Sequence, residues 1–227
     1  KRINILLLGI DQRQGEQGPC RTDTMILVTV DPAQQRLGMV SIPRDLYVTI
    51  PGYGENRINM ANFIGDRDKY PGGGPALAKR TVEYNYGIPV HYYVRLNFDG
   101  FERVVDTIGG VEIVVEKEID DPTFPDGNYG YDPLYIPAGV IQMNGDLALK
   151  YARTRHGDSD IHRAGRQQQV IAAIKDKVLG QNLAPSLLLK LPELMRTFSD
   201  SVQTDIPAEQ AIQLAQTAST WDLSQMQ

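Results

Sequence analysis

Several features that assign proteins to common classes are missing from this chain of 227 residues. Cys20 is the only cysteine, so no internal disulfide can form and the redox compartment stays open. No apolar run approaches the roughly 18 residues that a membrane-spanning helix needs. The chain has 23 Lys and Arg against 28 Asp and Glu. This net charge of −5 argues against a nucleic-acid binder, which usually carries a basic domain.

Familiar catalytic motifs are also absent. The three histidines and one cysteine show no zinc-ligand spacing, and neither a P-loop nor a Gly-x-Ser-x-Gly elbow occurs. No histidine lies near Cys20 in the sequence, which argues against thiol chemistry there. Any chemistry must therefore come from separate residues that the fold brings together.

The chain begins at Lys1, without an initiator methionine, directly before an apolar segment. We therefore expect an upstream signal or anchor to have been removed. For that reason the lack of a long apolar run is not evidence for a cytoplasmic protein.

Short apolar, β-branched runs alternate with helical patterns. The predicted strands are Ile3–Ile10, 25–30, 36–42, 46–50, Tyr92–Leu96 and Val111–Val115. The predicted helices are 75–86, 98–108 opened by Asn97 or Asp99, 144–151 capped by Asn144, and 160–179. This alternation indicates an α/β fold, with a three-layer α-β-α arrangement around a central mixed β-sheet.

The domain prediction is a single domain over residues 1–227. Additional C-terminal helices without strands are expected from about 184 to 227. The segment 120–137 is rich in Asp, Pro, Gly and Tyr, and we expect a long surface loop there.

Two acidic residues flank the first pair of strands. Asp11 follows a buried strand and Asp23 precedes the next one, so both carboxylates should lie at one edge of the sheet. Two carboxylates beside a phosphate site suit Mg²⁺. The alternative is that they are turn residues or ion-pair partners of Arg13 and Arg21.

Polar residues follow the later strands as well. Arg44, in Pro43-Arg44-Asp45, would share the edge with Asp11 if their strands run in the same direction, although a turn with a surface ion pair would give the same pattern. Asn59 could orient a phosphate, but helix capping is the better default.

The densest cluster of charge lies in residues 153–167. A helix that starts near Asp160 would place Asp160, Arg163 and Gln167 on one stripe. The other arginines of the cluster are Arg153, Arg155 and Arg166. One guanidinium group can donate two parallel hydrogen bonds to two oxygens of a phosphate. We therefore interpret the cluster as a phosphate-binding site rather than a solvated helix face. His156 and His162 are more simply incidental.

Together these segments resemble the LytR-CpsA-Psr family of bacterial envelope proteins. The similarity runs in order from residue 3 to about 180, with Thr22 where the family often has Ser. The matching segments are Leu8-Gly-Ile-Asp11 with Arg13, Arg21-Thr-Asp23-Thr-Met25, Val40-Ser-Ile-Pro-Arg-Asp45, Arg57-Ile-Asn59-Met-Ala61, Phe98-Asp-Gly-Phe101, Val105-Asp-Thr-Ile-Gly-Gly-Val111, Gly145-Asp-Leu-Ala-Leu149, and Tyr151-Ala-Arg153-Thr-Arg155 leading to Asp160, Arg163, Arg166 and Gln167.

The resemblance implies a phosphotransferase at the outer face of the cell membrane, held there by an N-terminal membrane anchor. Its substrates would be a polyprenyl-pyrophosphate-linked glycan, such as teichoic acid, and a peptidoglycan acceptor, with Mg²⁺ as the cofactor. The resemblance assigns the metal to Asp11 and Asp23. It assigns catalysis to Arg44, Arg153, Arg155, Asp160, Arg163 and Gln167, and pyrophosphate binding to Arg13, Arg21, Arg44, Arg153, Arg155, Arg163 and Arg166.

Two questions stay open at this level. Asp23, Asp45 and Asp160 are all candidates for the base that deprotonates the acceptor hydroxyl. The alternatives to transfer are hydrolysis of the lipid pyrophosphate and a non-catalytic, polyprenyl-phosphate-binding regulatory module.

Overall fold

The computed structural model describes residues 2–12, 18–126, 130–154, 160–180 and 201–219. The chain divides into two compact units. The first comprises Lys1–Gly100 and Ala184–Gln227, and the second comprises Phe101–Leu183. That they act as the single domain expected from the sequence stays a prediction.

The first unit contains a five-stranded sheet with the order β11-β6-β1-β2-β3. Its strands are β1 (Ile3–Ile10), β2 (Thr22–Asp31), β3 (Arg36–Ser41), β6 (Tyr92–Leu96) and β11 (Val202–Thr204). β1 pairs in parallel with β6, whereas the other three pairings are antiparallel. The sheet is therefore mixed, as expected, and the fold is α/β.

One face of this sheet is closed by two helices, α1 (Met60–Arg67) and α2 (Gly73–Tyr86). The even-numbered side chains of β1 lie on this face, and Leu6 and Leu8 are 0% and 1% exposed. They pack with Ile64 of α1 and Leu77 of α2. Full burial of each such side chain contributes about 1.5–3 kcal/mol, so this face holds the core of the unit.

The two helices approach each other closely where both carry glycine. A Cβ atom built on Gly74 would lie 2.2 Å from the backbone oxygen of Asn62. The backbone N–H of Gly74 also donates to Asp66 Oδ1 at 2.7 Å. Asp66 in turn pairs with Arg95 of β6 at 2.6 Å. The first turn of α2 therefore needs glycine at position 74, because any side chain there would overlap the backbone of α1.

The first unit also contains a hairpin of β4 (Tyr47–Ile50) and β5 (Gly54–Arg57), and a late helix α6 (Ala208–Ser219). The second unit contains β7 (Val111–Val115) paired with β10 (Gly139–Met143), and β8 (Ile119–Asp121) paired with β9 (Leu134–Ile136). Its helices are α4 (Gly145–Arg153) and α5 (Asp160–Gly180). α3 (Phe98–Thr107) crosses the boundary between the units in sequence. No helix of the described ranges has the length and hydrophobicity needed to cross a membrane.

The predicted bounds of β1, β6 and β7 are confirmed, as is the cap of α4, where Asn144 Oδ1 accepts from the Leu147 N–H at 2.9 Å. Asn97 likewise accepts from the Gly100 N–H at 2.8 Å. Three expectations are wrong. The segment 120–137 is not a plain loop, because β8 and β9 pair within it. The C-terminal region is not purely helical, because β11 adds a strand to the edge at β6. Asn59 makes no side-chain capping bond to α1.

Candidate active site

The ends of β1 and β3 lie at the same edge of the first unit's sheet. Both strands run antiparallel to β2, which lies between them, so they point in the same direction. Asp11 comes directly after β1 and is exposed. Arg44 comes three residues after the end of β3. The predicted placement of Asp11 and Arg44 at one edge is therefore confirmed.

Asp23 lies at an irregularity in the β1–β2 ladder. Gly9 is opposite Thr24 and Ile10 is opposite Thr22, so Asp23 has no partner residue on β1. A bulge of this kind bends the strand and redirects the side chain of the extra residue. The side chain of Asp23 is 40% exposed, although the residues on either side of the bulge belong to a buried strand. The bulge therefore leaves the Asp23 carboxylate accessible to solvent and to ligands.

Arg44 contacts this carboxylate directly. Its Nη1 donates to Asp23 Oδ1 at 2.5 Å, and its Nε lies 3.4 Å from Asp45 Oδ2, outside hydrogen-bond geometry. Arg57 completes the row by donating to Asp45 Oδ1 at 3.2 Å. Acids and guanidiniums therefore alternate along the edge, which fixes Arg44 between two carboxylates.

The electrostatic surroundings keep Arg44 charged. Partial burial alone would lower its pKa, but the negative charges of Asp23 and Asp45 and the hydrogen bond to Asp23 outweigh burial. The net effect raises the pKa of Arg44 above its ordinary value. A permanent cation therefore lies at the sheet edge, with its side chain only 23% exposed.

Two buried polar residues lie behind Arg44, and their position was not anticipated from the sequence. The Asn59 N–H donates to the Arg44 carbonyl at 3.2 Å, and the Thr22 N–H donates to the Asn59 carbonyl at 3.5 Å. Thr22 is 0% and Asn59 5% exposed. Thr22 Oγ1 and Asn59 Oδ1 have no hydrogen-bond partner within the described residues. Asn59 thus supports the backbone of Arg44 instead of capping α1.

The second unit carries the other arginines of the predicted site. Arg153 is the last residue of α4, whereas the sequence suggested that it follows the helix. Its guanidinium carbon lies 5.7 Å from the centre of the Phe124 ring, within the range of a cation–π contact. Arg163 and Gln167 are half-buried on α5. His162 is exposed on the same helix.

Arg166 occupies a different environment from the arginines predicted with it. It is only 8% exposed, and it donates from Nε to the Tyr151 carbonyl at 3.1 Å and from Nη2 to the Thr154 carbonyl at 2.5 Å. At least two of its N–H donors therefore form hydrogen bonds with backbone carbonyls at the C-terminal end of α4. Its predicted contact with pyrophosphate stays a prediction.

Some predicted site residues lie outside the described residues: Arg13 and Arg155, together with the side chain of Asp160. Arg21 is exposed beside β2. The structure brings Asp23 together with Arg44, but Arg153 and Arg163 belong to the other unit. That both sets meet on one pyrophosphate stays a prediction.

The acids at the sheet edge also determine which metal could bind. In the described part of the chain, no group of three or more His, Cys, Asp or Glu side chains could hold a metal ion. A cage built wholly from protein ligands is therefore absent from these residues. Mg²⁺ commonly uses only one or two carboxylates, and substrate phosphates and water complete its shell. Asp11 and Asp23 fit that limited role, since both reach solvent.

Comparison with known proteins identifies the family of the chain. The model of the LytR_cpsA_psr family matches residues 1–227. The chain belongs to this family. Among curated LytR-CpsA-Psr relatives, it is 38% identical over 206 residues to the polyisoprenyl-teichoic acid–peptidoglycan teichoic acid transferase TagU of Oceanobacillus iheyensis. It is 36% identical over 209 residues to the regulatory protein MsrR of Staphylococcus aureus.

These alignments cover 90% and 91% of the chain but 59% and 57% of the relatives, so the chain spans less than three-fifths of their length. Among solved family structures, Bacillus subtilis TagV aligns with a TM-score of 0.76 and 30% identity, over 100% of this chain and 82% of TagV. The TagT protein YwtF with bound octaprenyl pyrophosphate lipid aligns with a TM-score of 0.66 and 29% identity, over 97% of this chain and 74% of YwtF.

Proposed function

We propose that this LytR-CpsA-Psr domain is a phosphotransferase that moves a glycopolymer from a polyprenyl-pyrophosphate carrier to peptidoglycan. One observation carries the proposal: an apolar, partly open face of the sheet ends at a charged edge. The charged residues of this edge include Asp11, Asp23 and Arg44. A lipid pyrophosphate has the matching form, with a long apolar chain joined to an anionic head.

The apolar face is the side of the sheet opposite α1 and α2. It carries the odd-numbered residues of β1, and register places Ile26 and Val28 of β2 and Val94 of β6 beside them. The face is open only in part: Ile5 and Leu7 of β1 and Val94 of β6 are half-buried, whereas Ile26 and Val28 of β2 are 0% and 8% exposed. Apolar contact surface of this kind favours a prenyl chain.

The head group would meet the permanent charge of Arg44. A guanidinium already aligned by Asp23 can bind phosphate oxygens without first being ordered, which lowers the cost of binding. We propose that Arg13, Arg21, Arg153, Arg155 and Arg163 supply further contacts to the pyrophosphate. Asp160 and Gln167 would orient these arginines or the phosphate.

In this proposal Asp11 and Asp23 hold Mg²⁺. When bound, the ion would neutralise charge on the pyrophosphate and polarise its oxygens. Asp23 can serve both partners, because Oδ1 accepts from Arg44 while the carboxylate remains 40% exposed. The residues of the chain thus position the pyrophosphate between a fixed cation and two carboxylates.

The reaction would be a displacement at phosphorus. The acceptor hydroxyl oxygen bonds to the phosphorus that carries the glycan, its proton passes to a carboxylate, and polyprenyl monophosphate leaves. Asp23 and Asp45 are both engaged by arginines at the edge, and Asp160 begins α5. The choice of base among these three stays open.

The names of the relatives support this substrate class. TagU is named as a transferase of teichoic acid to peptidoglycan, and solved TagT structures contain LI-WTA or octaprenyl pyrophosphate lipid. A membrane-carried donor and a wall acceptor would place the domain at the outer face of the cell membrane. We therefore propose an N-terminal membrane anchor in the full protein.

Reconstitution with separated products tests the proposal. The protein is incubated with Mg²⁺, a polyprenyl-pyrophosphate-linked teichoic acid and peptidoglycan. We expect glycan bound covalently to peptidoglycan and an equal amount of polyprenyl monophosphate. Arg44→Gln should lose the product, whereas Arg2→Gln, which removes a 2.7 Å ion pair with Asp31 on the same sheet, should retain it. If the native protein gives no linked product with several donor glycans, the transferase proposal is wrong.

The name of MsrR favours a second candidate, a regulatory module that binds polyprenyl phosphate without catalysis. Lipid binding would then be sufficient for function. Asp11→Asn with Asp23→Asn would keep cellular function under this hypothesis and lose it under the transferase hypothesis. Hydrolysis is separated by products, since a pyrophosphatase releases polyprenyl monophosphate while leaving the glycan phosphate unlinked.

A further inference from the structure

The last turn of α4 is held from two sides within the second unit. We propose that this clamp sets the direction in which Arg153 reaches its anionic ligand. Its positioning residues are Asp121, Phe124, Thr154 and Arg166. The inference deepens the proposed function and rests on it, since Arg153 is one of the proposed pyrophosphate ligands.

One side of the clamp is Arg166 of α5. The last carbonyls of a helix have no partners within that helix, and the helix dipole makes this end negative. The Arg166 guanidinium donates to the carbonyls of Tyr151 and Thr154, which flank Arg153 in the chain. Because Arg166 is only 8% exposed, these bonds form away from most of the solvent. The structure thus assigns Arg166 a positioning role at the end of α4.

The other side is the segment that begins with β8. Thr154 Oγ1 donates to Asp121 Oδ2 at 2.7 Å, and Thr154 and Asp121 are 2% and 4% exposed. The other carboxylate oxygen, Oδ1, accepts from the N–H and the hydroxyl of Thr123, both at 3.2 Å. A buried carboxylate with both oxygens bonded holds a fixed position. Thr154 is therefore bound through its side chain as well as its carbonyl.

Phe124 supports the Arg153 guanidinium itself. The ring is 3% exposed and lies 5.7 Å from the guanidinium carbon. The Asp132 N–H donates to the Phe124 carbonyl at 2.8 Å, and the Phe124 N–H donates to the Asp121 carbonyl at 3.3 Å. The ring and the Asp121 carboxylate thus belong to one tied segment. The same segment thus contacts both Thr154, the residue after Arg153, and the guanidinium of Arg153 itself.

These contacts matter to a ligand because Arg153 ends a helix. Helix ends fray, and a long arginine side chain loses rotamer entropy when a ligand immobilises it. A clamp formed before the ligand arrives removes much of that cost. The clamp residues should therefore affect binding through Arg153 and have little effect of their own once Arg153 is gone.

A double-mutant cycle on the 227-residue protein tests this coupling, with octaprenyl pyrophosphate in the presence of Mg²⁺ as the probe. Thr154→Val keeps the shape but removes the donated hydrogen bond, and we expect roughly tenfold weaker binding. Thr154→Ser should restore affinity to within about twofold. In an Arg153→Ala background, Thr154→Val should change affinity by less than about twofold. Thr81→Val, which removes a buried hydroxyl bonded to Leu77 at 2.8 Å in the first unit, is the matched control and should leave affinity unchanged.

Phe124→Leu provides a second cycle if Thr154→Val lowers the thermal stability too far for measurement. Equal losses of affinity with and without Arg153 would overturn the positioning role, because they would indicate a general structural effect. Loss of binding in the Thr81→Val control would also overturn the positioning role, because it would show that removing any buried hydroxyl weakens binding. If the folded native protein does not bind octaprenyl pyrophosphate, the proposed function itself is wrong. The positioning role of the clamp then fails with it, because Arg153 would have no pyrophosphate ligand.

Discussion

Replacing Arg44 with Gln should separate catalysis from stability. Arg44 and Asp23 form an ion pair whose side chains are 23% and 40% exposed. Pairs that reach solvent contribute about 0.2–1 kcal/mol to folding. In addition, Arg44 Nε is a buried donor without a hydrogen-bond partner within the described residues, and its removal recovers part of the loss. We therefore expect the free energy of unfolding to fall by about 1 kcal/mol or less.

The effect on the reaction should be much larger. Hydrogen bonds from a guanidinium to phosphate oxygens contribute about 1.5–3 kcal/mol each, and every ~1.4 kcal/mol changes an equilibrium or rate constant tenfold. A loss of one or two such bonds lowers kcat/KM by about 10²–10³-fold, which is also the range for removing one donor to a developing charge. A large loss of kcat/KM together with a small loss of unfolding free energy would identify Arg44 as a ligand-binding residue.

Both quantities can be measured on the same preparations. Urea unfolding gives the change in stability, and release of polyprenyl monophosphate gives kcat/KM. Arg2→Gln is the comparison, because it removes an ion pair to Asp31 in the same sheet and should leave kcat/KM unchanged. The reasoning fails if Arg44→Gln costs more than about 3 kcal/mol of stability, or if the variant keeps native kcat/KM.

Four further predictions concern folding, pH and metal. Gly74→Ala should destabilise by about 1–3 kcal/mol or more, because its Cβ would lie 2.2 Å from the Asn62 oxygen. Gly38→Ala, with no heavy atom within 4 Å of the new Cβ, should have far less effect on the urea midpoint. Asn144→Ala should lower stability by about 1 kcal/mol, whereas Asn144→Asp should not, since Asp retains the capping oxygen. The hydrogen bond from Arg2 lowers the pKa of Asp31 below its ordinary value, against the opposing effect of burial. The stability difference between the native protein and Arg2→Gln should therefore be complete above about pH 4 and shrink as the pH falls through the lowered pKa; a constant difference would contradict it. Chelation of divalent cations should stop transfer, and Mg²⁺ should restore it; undiminished transfer in chelator would remove the proposed metal role.

The sheet could be predicted because its central strands are continuous apolar runs. Ile3–Ile10 and Tyr92–Leu96 are long enough for their boundaries to be located from the residue pattern alone. β8, β9 and β11 have three residues each, too few for any periodicity to show. They form because a neighbouring strand supplies the missing hydrogen bonds, which is a tertiary effect. The late strand at Val202–Thr204 therefore lay beyond sequence reasoning.

The candidate site divides in the same way. The placement of Asp23 and Arg44 at one sheet edge follows from strand direction, whereas their ion pair was not predicted, since Arg13 and Arg21 were the expected partners of Asp23. The bulge at Asp23 does not follow from strand direction, because it depends on ladder register. Similarly, the family resemblance placed Arg166 with the ligand-binding arginines, and it gave no indication of a contact with the end of α4. Only the packing of α5 on α4 buries its guanidinium against carbonyls, and the sequence carries no signal for that contact.

Charge balance at the sheet edge bears on why a metal would be needed. Among the described residues, the charged side chains considered at this edge are three acids and three arginines, namely Asp11, Asp23, Asp45, Arg21, Arg44 and Arg57. Their formal charges cancel, so the edge by itself offers little net attraction for a dianionic pyrophosphate diester, even though Arg44 is well placed to bind it. In the proposed function, compensation comes from outside this set: from a divalent cation, from Arg13, or from the arginines of α4 and α5. A magnesium ion at Asp11 and Asp23 would supply both of the missing charges at the point where the carboxylates would otherwise repel the phosphate. Under the proposed function, the acids that would oppose substrate binding in the metal-free protein are thus the residues that would make metal-assisted binding possible.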